Sequence, residues 1–75
     1  MKPSESVKNT LYITLGEPVA ELLLDHAAGT GDGPSVTFED IDQWCQEENI
    51  DLTSDQILVA NHLIVSYFIL LDSSQ

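Results

Sequence analysis

Leu52-Thr53-Ser54-Asp55-Gln56-Ile57-Leu58-Val59-Ala60-Asn61-His62-Leu63-Ile64-Val65-Ser66-Tyr67-Phe68-Ile69-Leu70-Leu71 is the stretch that decides the fold. It opens as a helix start. Thr53 stands at the N-cap, Gln56 takes the capping-box position three residues on, and Leu52 and Ile57 flank them as a hydrophobic staple. From Ile57 to Leu71 there is no charge, and the only polar groups are Asn61, His62, Ser66 and the Tyr67 hydroxyl. A helix apolar nearly all round is buried in protein or in lipid. This run, 15 residues interrupted by Asn61-His62, falls short of the roughly 20 that a membrane span needs. The competing reading takes the β-branched and aromatic residues 63–71 as a strand, paired with the alternating Leu11-Tyr12-Ile13-Thr14-Leu15. That gives an α+β domain with strands near 10–15 and 63–71. The Thr53 cap favours helix over 54–71.

Upstream, Val36-Thr37-Phe38-Glu39-Asp40-Ile41 repeats the same grammar. Thr37 caps, Asp40 closes the box, and Val36 and Ile41 form the staple, which predicts a helix over 38–48. Gly16-Glu17-Pro18 marks a break with Pro18 at the first helical position, and Val19–Ala28 reads as a helix ending before Gly29-Thr30-Gly31-Asp32-Gly33-Pro34. Over 4–15, Val7, Leu11 and Leu15 make a helical stripe. The expected fold is therefore all-α: one domain over 1–75, four helices, an apolar C-terminal helix at the centre, and tails at 1–5 and 72–75. Three short helices cover only part of that last helix, so the remainder is expected to meet a second copy of the chain. The seam of this homodimer would use Asn61, Ile64, Phe68 and Leu71, with Asn61 and His62 fixing register. The alternative places Asn61 and His62 on an exposed stripe with Asp55 and Ser66.

The 75 residues carry 13 Asp and Glu against 2 Lys, for a formal charge of −11 and a pI near 4.1. At 43 % apolar and 20 % charged, the chain is globular rather than disordered. Its acidity argues against direct contact with nucleic acid or anionic lipid, both of which need a basic surface. One cysteine makes no intrachain disulfide, which points to a reducing, cytoplasmic setting, and MKPSESVK lacks the apolar core of a signal peptide. Both cations, Lys2 and Lys8, precede Asn9, whereas 12 of the 13 carboxylates follow it.

Helical geometry puts Glu39, Asp40, Asp42 and Glu47 on one face with Gln43 and Gln46, opposite Phe38, Ile41, Trp44 and Cys45. Glu17, Glu21 and Asp25 form a second stripe at i, i+4 and i+8, where each like-charged pair costs about 0.2–0.5 kcal/mol. The five carboxylates of residues 38–48 fall one per roughly 3.3 Å of helix axis, close to the ~3.4 Å per phosphate of a DNA strand. The expected function is non-enzymatic: an acidic protein docking on a basic surface of a partner such as a nucleic-acid-binding protein. Nucleic-acid-mimicking inhibitors of phage or mobile elements are the analogy. The alternative is an assembly module acting through its last helix.

The stretch Gly31-Asp32-Gly33-Pro34-Ser35-Val36-Thr37-Phe38-Glu39-Asp40-Ile41 resembles the second half of a calcium-binding EF-hand loop. The resemblance implies a site at Asp32 and Asp40 and a calcium-responsive helix pair. It departs from the pattern in three ways: Ala28 and Thr30 occupy the upstream ligand positions, one residue too many separates Gly33 from Val36, and the closing acid is Asp rather than Glu. The length, acidity and helicity also suit an acyl carrier protein, but the only Asp-Ser, Asp72-Ser73, lies in the tail and no Leu follows it. Cys45, His26 and His62 are the only candidates for nucleophile and base. Cys45 falls on an apolar face among acids, which raises a thiol pKa, and His26 lies near the favourable C-terminal end of its helix. No spacing forms a zinc motif or phosphate loop, so no enzyme activity, cofactor or metal is expected.

Overall fold

The computed structural model describes residues 2–31 and 33–73. Helix α1 spans Pro3–Leu15, α2 Glu17–Thr30, α3 Phe38–Glu47 and α4 Ser54–Ser73, with a short 3₁₀ turn at Gly33–Ser35 between α2 and α3. No strand occurs among the described residues, so both segments that alternate like strands, 10–15 and 63–71, are helical. The molecule is an all-α domain.

Each helix end has a local cause. Pro3 supplies the first-turn φ of α1, so the helix takes in residues expected as a tail, and Ser4 is buried. Gly16 ends α1 and begins α2 in one residue. Its φ of 92° and ψ of 146° lie in a region open essentially to glycine alone, and its N–H bonds back to the Tyr12 carbonyl at 2.8 Å. Helix α2 starts earlier and runs later than its apolar pattern implies. Gly29 lies inside it, and Gly31, at φ 75°, is the left-handed residue that closes it.

Both expected capping boxes form. The Thr37 hydroxyl accepts from the Asp40 N–H at 3.2 Å, and Asp40 accepts from the Thr37 N–H at 3.1 Å. At α4, Thr53 Oγ1 accepts from the Gln56 N–H at 3.1 Å while Gln56 Oε1 accepts from the Thr53 N–H at 2.9 Å. Helix α3 ends in a Schellman turn: Ile50 N–H reaches the Cys45 carbonyl at 2.8 Å and Asn49 N–H the Gln46 carbonyl at 3.4 Å. Asn49 takes the left-handed position at φ 57°, which asparagine tolerates better than most residues.

Leu11 of α1, Leu23 of α2, Ile41 of α3 and Ile64 of α4 are fully buried, and Ala20, Ala27 and Ala60 are small enough to let the helices approach closely. Helix α4 packs against α1, α3 and the 3₁₀ turn. At 20 residues it is about 30 Å long and accounts for most of the molecule's 34 Å longest extent. Its core side is Ile57, Ala60 and Ile64, while Leu58, Val59, Ile69 and Leu71 stay exposed. Measured from Ser54 to Asp72 it is 19 residues long with a mean hydropathy of 1.4, long and apolar enough by composition to cross a membrane. The apolar run over 57–71 is shorter than that span, which also counts Asp72 and the polar first turn, Ser54, Asp55 and Gln56.

Candidate functional site

The outer face of α3 is the principal acidic surface. Its capping box sets the helix start, and Ile41, Trp44 and Cys45 are buried on the opposite side. Glu39, Asp42, Gln43, Gln46 and Glu47 then line one shallow, open depression. The two amides brace the acids at i, i+4 spacing: Gln43 Nε2 donates to Glu47 Oε2 at 3.2 Å, and Gln46 Nε2 donates to Asp42 Oδ2 at 3.1 Å. These bonds hold both carboxylates in place without neutralising them.

Two of the five carboxylates assigned to the DNA-like spacing do not share this face. Asp40 turns back to the Thr37 N–H, because one carboxylate cannot both close the cap and project outward. Glu48 follows the helix and lies 3.6 Å from His26 Nε2. Glu39, Asp42 and Glu47 therefore leave three charges over the same 11 residues, one per roughly 5.5 Å of axis. That is looser than the sequence spacing suggested.

The acids of α2 do not extend this surface. Glu17 is exposed, whereas Glu21 and Asp25 line a separate groove between α1, α2 and α4. Glu21 accepts the Tyr12 hydroxyl hydrogen bond, tying α2 to α1. That bond to a carboxylate raises the Tyr12 phenol above its ordinary range. Lys8 lies 5.6 Å from the centre of the Tyr12 ring, and its interaction with that phenol holds its ammonium above the usual lysine range.

The expected dimer seam is rearranged. Ile64 is fully buried within the chain. Asn61 points inward, and its Nδ2 donates to the Val36 carbonyl at 2.7 Å. Phe68 is half-buried beneath the 3₁₀ turn, where a Cβ added to Gly33 would fall 2.5 Å from its Cγ. Of the four assigned residues only Leu71 is well exposed, at 44 %; the outward apolar side is otherwise Leu58 at 55 %, Val59 and Ile69, with His62 among them. An α-helix that is apolar on every side carries no periodicity to say which side faces the core.

Cys45 is buried, and its thiol is pushed up by that burial and by the Asp42 charge. His26 stacks on Trp44 with ring centroids 5.4 Å apart and 15° between planes, a contact that the helix-end reading missed. His62 is exposed on α4. Asp32 lies outside the described residues, and Asp40 is held by its cap. No three His, Cys, Asp or Glu side chains form a metal-sized group among the described residues. Comparison with protein families, with curated proteins and with solved structures finds no match to this chain.

Proposed function

We propose that this chain is a non-enzymatic binding protein that docks its acidic α3 face on a basic surface of a partner protein, in a reducing cytoplasmic setting. The partner is of the nucleic-acid-binding class, and the chain competes with nucleic acid for it. One observation carries the reading. Glu39, Asp42 and Glu47 project together from one helix, two of them braced by glutamines, in a chain whose only Lys and Arg residues are Lys2 and Lys8. A net charge of −11 exceeds the magnitude of about 2–8 that keeps a small domain soluble. Complementary charge steers association and fixes orientation.

The test is capture from host lysate with the tagged chain and with a Glu39→Gln/Asp42→Asn/Glu47→Gln variant, washed at low and then high salt. A nucleic-acid-binding protein held by the native chain, released by high salt and lost with the variant supports the reading. Equal capture by the variant refutes it.

A second reading rests on the exposed apolar side of α4, Leu58, Val59 and Ile69: an assembly module, as a homodimer, whose charge only solubilises. Sedimentation of the native chain against Leu58→Glu separates it. A dimer that the substitution dissociates supports it, and a monomer at high micromolar concentration removes it.

A further inference from the structure

We infer that the groove between α1, α2 and α4 receives one arginine side chain of the partner. This inference rests on the docking reading above and names what the partner inserts. The groove is open and measures about 230 Å³, below the roughly 300–1,000 Å³ of small-molecule pockets and suited to a single side chain. Its walls differ in chemistry. Glu21 and Asp25, one turn apart on α2, supply carboxylates, Leu24 adds apolar surface, and Tyr67 and Phe68 contribute rings from α4. Those rings stand edge to face, 5.2 Å between centroids and 81° between planes.

A guanidinium matches the carboxylate, aromatic and apolar walls, and Lys8 is the lining residue that opposes it. The guanidinium is planar, forks onto carboxylates, stacks on aromatic faces and is more weakly hydrated than an ammonium, while its stem covers apolar surface. The carboxylates are prepared unequally. Glu21 is held by the Tyr12 hydroxyl, whereas Asp25 is exposed and makes no ion pair among the described residues. Lys8 also lines the groove and sits over Tyr12. Its charge repels a second cation on the α1 side and directs the guanidinium toward Asp25. Arginine anchors in partly enclosed pockets recur as the dominant contacts of protein interfaces.

The probe is N-acetyl-arginine amide, titrated into the ¹⁵N-labelled full chain at low salt. Neutral N-acetyl-citrulline amide is the shape control and N-acetyl-lysine amide the charge control. Saturable shifts are expected at Asp25 and Tyr67 with the arginine compound, about threefold weaker binding of lysine, and no saturation with citrulline. Asp25→Asn should weaken arginine binding about threefold, and Lys8→Gln should tighten it by a similar factor. Thermal melts confirm that both variants fold. Equal binding of citrulline, shifts confined to α3, or no response to both substitutions overturns the inference. The Glu39→Gln/Asp42→Asn/Glu47→Gln variant separates the two readings. If it loses partner capture while the groove titration fails, docking survives and the arginine receptor falls. If it captures normally while the groove still binds arginine, the α3 docking face falls instead.

Discussion

Replacing Gly33 by alanine tests how the loop between α2 and α3 is seated on α4. The backbone there does not need positive φ, so in open space the change would stabilise by about 0.4–1 kcal/mol through the unfolded chain. The space is not open. The new Cβ would lie 2.5 Å from Phe68 Cγ, 2.6 Å from Cδ1 and 3.0 Å from Cδ2, where carbon atoms prefer about 3.5–4.0 Å. The atom in the way is the root of the ring rather than a movable tip. Relief requires a non-rotameric Phe68 or a displaced turn, and overpacking of this kind costs about 1–3 kcal/mol. The net expectation is a loss of about 1–2 kcal/mol. At about 2.1 cal/mol/K per residue the unfolding entropy is roughly 160 cal/mol/K, so the midpoint should fall by about 6–12 °C. Gly29→Ala is the control, since it lies within α2 with nothing within 4 Å of its added Cβ. It should stabilise by about 0.5–1 kcal/mol. Circular dichroism melts of both variants give the answer, and Gly33→Ala in a Phe68→Leu background should recover part of its loss through coupling. A Gly33→Ala protein that melts at or above the native temperature refutes the packing of the turn on Phe68. It would also remove the support that holds this ring in the wall of the arginine groove.

Three further outcomes follow from the same contacts. Asn61→Ala leaves the Val36 carbonyl without its donor and should cost about 1–3 kcal/mol in urea unfolding, although Asn61 is only partly buried. Cys45 should resist iodoacetamide at pH 8 in the native protein and react once urea unfolds it, because burial and Asp42 hold the thiol protonated. The same raised pKa has a stability sign: its contribution is full below the unfolded thiol's value of about 8.5 and is lost as pH rises through the folded value. Finally, raising NaCl from 20 to 500 mM should raise the melting temperature, since the net charge of −11 repels itself and salt screens it; a midpoint that falls with salt contradicts this.

What was legible in the sequence is what acts locally. A capping box joins a side chain to a backbone group three residues away, so Thr37 and Thr53 can be read directly, and the amphipathic pattern of α3 alone puts Ile41, Trp44 and Cys45 on its inner side. Asn61 was ambiguous for the opposite reason. Its partner is the carbonyl of a residue 25 positions upstream, and only the fold brings the two together. Asp40 fitted two patterns at once, the cap and the acidic stripe, and hydrogen-bond geometry admits only one. Gly16 shows a further limit: its sequence marks a break, while its service to two helices at once depends on a backbone conformation that composition cannot reveal.

The sites divide along the same line. The α3 face needs one helix and its periodicity, so three of its four expected acids are where the sequence placed them. The groove needs three helices. Glu21 and Asp25 were visible as an unfavourable like-charge stripe, but nothing in their spacing placed Tyr67 and Phe68 opposite them. Lys8 lines the same groove and its charge meets Glu21, so the repulsion is partly relieved in the free protein and Asp25 is the carboxylate left for an incoming cation. Tyr12 relieves only the Glu21 side of it, and an exposed Asp25 is the half that a partner's guanidinium completes.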